Sequence, residues 1–392
     1  MLTFKRFNLI LILIFLSIGI NDFFVMSFMK KMMGSDNYLW IFRICILTIL
    51  ILFGLKDYLS YLKIKYNYAI LVSLITFTIL ISSYNSFIFF TDFTKNLLGH
   101  FFYIYIIFFL LQTKEIINNK TIEFIGLLLI LLGLLSSLSY ILIGGSDAIR
   151  NPAGVYLNVI NFPTYGFIGL LIVAQKRVYI FYLVITIILT ITYLEINRTL
   201  FLAAIIFYLI SQKKDLGIFK IFSYSTWIIL SLIATLIIGI IEFDQLTTTS
   251  FSTGRGQIWM MNWIQFINFD FLSALFGSTI NYNNNLDIYE NYDQINLSLN
   301  YFQLHSVTLK TLLDYGIMGF IIVMIIFKNK KQKRFEDSFN LINALFFSCF
   351  VIASLNSSTN FIKMDIYGLL MFIALAASNQ KSSLIKLNRF GN

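Results

Sequence analysis

The stretch Ile221–Ile241, IFSYSTWIILSLIATLIIGII, carries no charged residue and is long enough to cross the hydrocarbon core of a bilayer as a helix. It gives way at once to EFDQLTTTSFSTGRGQIWMMNWIQF, the opening of a polar stretch that runs to Leu304. A loop of that length is too long to be a simple connector, and long loops in compact proteins are usually functional. Its two ends, Thr253-Gly254-Arg255-Gly256 and Leu304-His305-Ser306, therefore become the first places to look for chemistry.

Working outward, the rest of the chain is written in the same apolar language. Hydrophobic residues make up 58% of it, charged residues 12%, and there are two prolines, a balance that a soluble domain could not keep in solution. Apolar segments of spanning length lie at Phe7–Phe28, Tyr38–Leu55, Tyr68–Ser83, Leu97–Gln112, Ile122–Ile143 and Tyr156–Ala174. Others follow at Val178–Leu194, Ile196–Ile210, Ile221–Ile241, Ser306–Phe327, Phe339–Leu355 and Asp365–Ala377, the first two as a tight pair. The expected fold is an all-α polytopic membrane protein, one integral membrane domain over 1–392, with about twelve transmembrane helices and one large loop over 242–304.

Cytoplasmic connections carry the excess of Lys and Arg. Placing the N-terminus inside sends Lys5, Arg6, Lys63, Lys65, Lys114, Lys120, Lys176, Arg177, Lys213, Lys214 and the run Lys328–Arg334 to the cytoplasm, with both termini there. The outer side keeps Lys30, Lys31, Arg43, Lys95, Arg150, Arg198, Arg255, Lys310 and Lys363. The net charge of +10 is mostly this topology signal and does not point to nucleic acid. Ile20-Asn21-Asp22-Phe23 offers no small-residue cleavage site, so the first span reads as retained. Cys45 and Cys349 each sit inside a span without CxxC spacing or a histidine partner, and read as packing residues rather than a disulfide or zinc site.

No Walker loop or strand-embedded GxGxxG is present, so ATP-driven work is not expected. Glu242-Phe243-Asp244 has an acidic spacing used for divalent metals, but at a span end it reads as solvated loop. Ile258, Trp259, Trp263, Phe266 and Ile267 recur at helical spacing after Ser252 and Thr253, which predicts a capped amphipathic helix lying in the outer interface. Arg255 at its start, between Gly254 and Gly256, suits phosphate; an arginine snorkelling to lipid headgroups fits equally well. Arg198, at a boundary between spans, has either Glu195 three residues earlier as a local ion-pair partner or an outward anion. His305, one of two histidines, stands where the loop re-enters the membrane and can take a proton near neutral pH; His100 reads as a packing residue. The asparagines and tyrosines of Asn281–Tyr301 supply amides and aromatic faces of the kind that sugars bind, a composition shared with any wet loop.

These segments together resemble the O-antigen polymerase and ligase superfamily (Wzy-type). The resemblance is carried by Asn197-Arg198-Thr199, by Thr253-Gly254-Arg255 with Ile258-Trp259, and by Leu304-His305-Ser306 with Leu309, Leu312, Gly316 and Gly319. It covers roughly Asn197 to Gly319, and Ser306 stands where many relatives carry asparagine. It implies a glycosyltransferase of GT-C-like architecture in the bacterial cytoplasmic (inner) membrane. Donor and acceptor would be oligosaccharide repeats on undecaprenyl pyrophosphate. No nucleotide, metal or other cofactor would be needed. By the same resemblance Arg198 and Arg255 would grip the pyrophosphate and His305 would deprotonate the acceptor hydroxyl, with inversion at the anomeric carbon. Gly254, Gly256, Lys310 and Arg150 complete the expected substrate contacts. Ile258-Trp259 after Thr253-Gly254-Arg255 favours the polymerase, building O-antigen, capsule or another exopolysaccharide with a chain-length regulator as partner. The alternatives are a ligase transferring the glycan to lipid A core and a lipid-linked oligosaccharide flippase.

Overall fold

A computed structural model describes residues 4–19, 117, 119–143, 156–157, 162–194, 197–212, 223–243, 255–277, 306–328, 338–356, 360–362 and 365–378, with scattered positions between 45 and 110. The described chain is helical apart from one two-residue ladder. The helices are α1 (Phe4–Gly19), α2 (Asn119–Ile143), α3 (Thr164–Ala174), α4 (Val178–Leu194), α5 (Arg198–Gln212) and α6 (Tyr224–Phe243). After these come α7 (Arg255–Ile267), α8 (Phe271–Phe276), α9 (Val307–Ile326), α10 (Ser338–Asn356) and α11 (Ile366–Ser378). Among the described residues, two helices are long and apolar enough to cross a membrane, Tyr224–Glu242 and Val307–Ile326; shorter apolar helices accompany them. The expected second, third and fourth spans fall mostly outside the described residues.

One expected span is corrected. Tyr156–Ala174 is not a continuous helix: β1 (Tyr156–Leu157) pairs antiparallel with β2 (Phe162–Pro163), Tyr156 opposite Pro163, and the helix begins only at Thr164. Pro163, with φ −69° and no N–H, suits the cap position and could not sit inside a helix.

The packing rests on small residues and on one helix buried all round. Every residue of α11 is buried, which explains why it has no polar face. Asp365 caps it, accepting from the Gly368 amide at 2.8 Å. α2 and α3 run antiparallel: a Cβ on Gly169 would meet the Gly126 carbonyl oxygen at 2.6 Å, and Lys176 pairs with Glu123 one turn further along. α5 lies on α10, where the Ser348 hydroxyl donates to the Ala203 carbonyl at 2.9 Å. Cys349 is buried as expected of a packing residue, whereas Cys45 is exposed.

α6 runs parallel to α10. The Tyr224 hydroxyl donates to Asn343 Oδ1 at 2.7 Å and its ring stacks on Phe346, Trp227 meets Phe347 edge-on, and Ser231 donates to Ser354 near the end of α10. α6 then continues for about three more turns. Along those turns α7 packs back against it.

Candidate functional site

The three sequence motifs all fall at helix starts. Asn197 caps α5: its Oδ1 accepts from the Leu200 amide at 3.2 Å and its carbonyl from the Phe201 amide at 3.0 Å, so Arg198 is the first helical residue and is exposed. Ser306, with φ −157° and ψ 107°, caps α9 through its hydroxyl, which accepts from the Leu309 amide at 3.3 Å. Serine and asparagine are near-equivalent caps, so either residue type would serve at position 306. α7 starts at Arg255 as the sequence predicts.

The placement of α7 corrects the interfacial expectation. It runs antiparallel along α6: Gly256 lies against Glu242, Met260 against Gly239, and the Trp263 indole N–H donates to Thr235 Oγ1 at 3.2 Å. The physical reason is the paired glycines. A Cβ on Gly239 would meet the Met260 backbone nitrogen at 3.2 Å, and one on Gly256 would meet Glu242 Oε2 at 2.5 Å. Without side chains there, the two backbones close up. Gly256 is thus spent on contact with a protein carboxylate.

Glu242 is buried, at 3% exposure, and its carboxylate sits at the first turn of α7, where a helix dipole favours negative charge. Reading it as a solvated loop residue is therefore corrected. Asp244, its companion in the acidic pattern, lies outside the described residues. The signal that could have found Glu242 was its place at the end of a span, where a buried carboxylate must find a helix terminus or a cation.

With Gly256, Met260 and Trp263 turned to α6, the adjoining flank, about 100° round the helix, carries Arg255, Trp259 and Asn262, which at 3.6 residues per turn share an arc of about 60°. Trp259 packs in a cluster with Leu309, Leu312 and Leu313 of α9. Arg255, at the head of the flank, is half-buried and feels Arg198. Burial first, and the Arg198 charge second, lower the affinity of its guanidinium for the proton. An arginine stays charged regardless.

The same region holds unpaired polar atoms. Asn197 Nδ2, Trp259 Nε1 and Asn262 Oδ1 are buried and have no hydrogen-bond partner. Asn262 Nδ2 donates to the Ile258 carbonyl at 2.6 Å, which settles which end of the amide carries the unpaired oxygen.

Lys310 is placed differently. Its Nζ faces Asp314 Oδ1 at 3.5 Å one turn on, and Asn360 Nδ2 donates to Asp314 Oδ2 at 2.5 Å. The segment 360–362 is buried here, with the Phe361 amide donating to Thr311 Oγ1 at 3.0 Å and Phe361 also reaching Phe327. α9 breaks at Gly316 (φ 63°), and the turn at Gly277 (φ 83°) packs so close to the break that a Cβ there would collide with the Asp314 and Tyr315 backbone. Both positions require the left-handed backbone that glycine permits. The i,i+4 spacing of Lys310 and Asp314 was the signal that could have found Asp314, whereas Asn360 lies 46 positions away and meets it only in the fold.

His305, Gly254, Arg150 and Glu195 lie outside the described residues, as does the asparagine-rich stretch 281–300. Comparison of the chain with protein-family models, with curated proteins and with solved structures found no match in any of the three.

Proposed function

We propose that the protein is a polytopic membrane glycosyltransferase that polymerises undecaprenyl-pyrophosphate-linked repeat units on the outer face of the cytoplasmic membrane. The observation that carries this reading is the convergence of Arg198 and Arg255, each the first residue of its helix, close enough for one charge to act on the other. Like charges brought together across the fold ask for an anion with more than one charge to offer, and a diphosphate answers both planar forks. Helix N-termini favour the same ligand. Asn197 Nδ2, next to Arg198 in the chain, is a buried donor without a partner.

The membrane part of the reading draws on the outward faces. Leu127, Leu131 and Leu134 on α2, Ile229, Ile233, Ile237 and Ile240 on α6, and Ile317, Ile321 and Ile325 on α9 are exposed apolar stripes at helical spacing. Stripes of that kind suit contact with acyl chains.

In the reaction, the acceptor hydroxyl oxygen attacks the anomeric carbon from the side opposite the diphosphate. The new glycosidic bond forms as the carbon–oxygen bond to the phosphate breaks, and undecaprenyl diphosphate leaves with the bonding pair. Arg198 and Arg255 stabilise the charge that gathers on the leaving oxygens. His305 takes the hydroxyl proton. Purified protein in liposomes, given lipid-linked repeats, is expected to yield a ladder of products differing by one repeat and to release undecaprenyl diphosphate. Transfer only to added lipid A core, or movement of lipid across the bilayer without any change in glycan length, overturns the polymerase reading.

A further inference from the structure

We infer that Glu242 is a positioning residue for Arg255: its buried carboxylate, carried on α6, holds the first turn of α7 and so fixes where the guanidinium at the head of that helix stands. The inference rests on the diphosphate reading above and names the group that keeps one of its two arginines in place. Three residues of α6 meet α7 along one seam, Glu242 at the head, Gly239 in the middle and Thr235 at the foot. Spaced by three and then four positions, they share one face of α6, as their counterparts Gly256, Met260 and Trp263 share one face of α7. The middle and the foot use no charge. At the middle a glycine lets backbone meet backbone, and at the foot an indole N–H donates to a hydroxyl. The head contact uses an ionisable group, and it falls on the residue next to Arg255.

Chemistry explains why a glutamate stands there. Glu242 is 3% exposed, and a buried carboxylate is costly unless donors or a positive field match it. An apolar side chain of the same length would fill the space without that cost. The first turn of α7 supplies the match, because its backbone N–H groups have no acceptor within the helix and the dipole there favours negative charge. A Cβ at Gly256 would strike Glu242 Oε2 at 2.5 Å and Glu242 Cβ at 2.8 Å, so the glutamate lies along that turn, and a side chain at 256 would push it off. Arg255 is the residue immediately before this contact and the first of its helix. A helix end that is not held frays. Displacing a group that stabilises a leaving anion by about 1 Å costs up to roughly a hundredfold in rate, so a fork on two phosphate oxygens needs its helix end fixed.

The test is a double-mutant cycle on the detergent-solubilised full-length protein, read as affinity for undecaprenyl diphosphate. Glu242→Gln keeps the size and removes the charge. Glu242→Met, an apolar replacement of the kind buried charged sites accept, is the second charge-free variant should the amide disturb folding. Each is expected to bind the lipid about tenfold more weakly than wild type. A carboxylate that did no more than share the field of the arginines would act in the opposite sense, because its loss would tighten the binding of an anion. Unchanged or tighter binding in the charge-free variants therefore overturns the inference. In the Arg255→Gln background the same substitutions should make no further difference, since the residue they position is gone. A further tenfold loss there would show that Glu242 acts on the fold as a whole, which also overturns it. Should Arg255→Gln by itself leave lipid binding unchanged, the diphosphate reading falls and the positioning role with it. Weak binding by Arg255→Gln beside full binding by both Glu242 variants removes the positioning role alone and leaves the diphosphate reading standing.

Discussion

The seams of α2 with α3 and of α5 with α10 are dry, whereas the seam of α7 with α9 is not, although both are built from apolar helices. At the first, glycine and alanine let backbones close, and the Ser348 hydroxyl is satisfied by the Ala203 carbonyl. At the second, an indole N–H and an amide oxygen are buried unpaired, and a half-buried guanidinium stands in the field of another. An unpaired buried polar group costs about 1–3 kcal/mol. Asn8 Oδ1 on α1 and Trp227 Nε1 on α6 are also buried and unpaired, so what sets the seam of α7 with α9 apart is that its unpaired atoms share a helix with Arg255.

Breaking the wet seam should remove activity and spare stability. Arg198→Lys and Arg255→Lys are expected to be nearly as damaging as the glutamine variants, each losing roughly a hundredfold or more in polymerisation rate, because a point charge cannot replace a fork on two phosphate oxygens. Full activity in both lysine variants, at normal expression, would remove the pyrophosphate role.

Breaking the dry seam should do the opposite. Gly169→Ala places a methyl 2.6 Å from the Gly126 carbonyl oxygen, so the helices must separate, at about 1–3 kcal/mol. Thermal unfolding should report the loss, with activity per folded molecule unchanged. A drop in rate without a drop in melting temperature would mean that α2 and α3 belong to the site.

The smallest effect is expected at the edge of the wet region. Asp270 caps α8, with Ser273 holding its carboxyl below the usual carboxylate range, mainly through the side-chain and backbone bonds. Because the folded value is depressed, the cap contributes above the ordinary carboxylate range and is lost as pH falls through the folded value. Asp270→Ala should therefore speed amide exchange at Ser273 near neutral pH and make no difference in acid. Equal exchange at both pH values would show that the turn at Gly277, and not the cap, holds α8.

Much of this was legible in the residues, for identifiable reasons. Val178–Leu194 and Ile366–Ser378 announce themselves because an unbroken apolar run leaves a helix as the way to satisfy the backbone. The start of α7 at Arg255 followed from the spacing of Trp259, Trp263 and Phe266. Tyr156–Ala174 misled because hydropathy does not see that Pro163 cannot be helical in mid-run. The lie of α7 misled because the amphipathic pattern is the same whether the apolar side meets lipid or α6.

Local chemistry by itself determined the helical class, the helix starts and the residue types suited to phosphate, since capping, apolar length and charge act over a few positions. Only the tertiary structure decided that Arg198 and Arg255 share one field, that Glu242 sits at the first turn of α7, and that Asn360 bonds the Asp314 carboxylate. Those pairings join residues up to dozens of positions apart, and their strength depends on distance and burial, which no window of sequence contains.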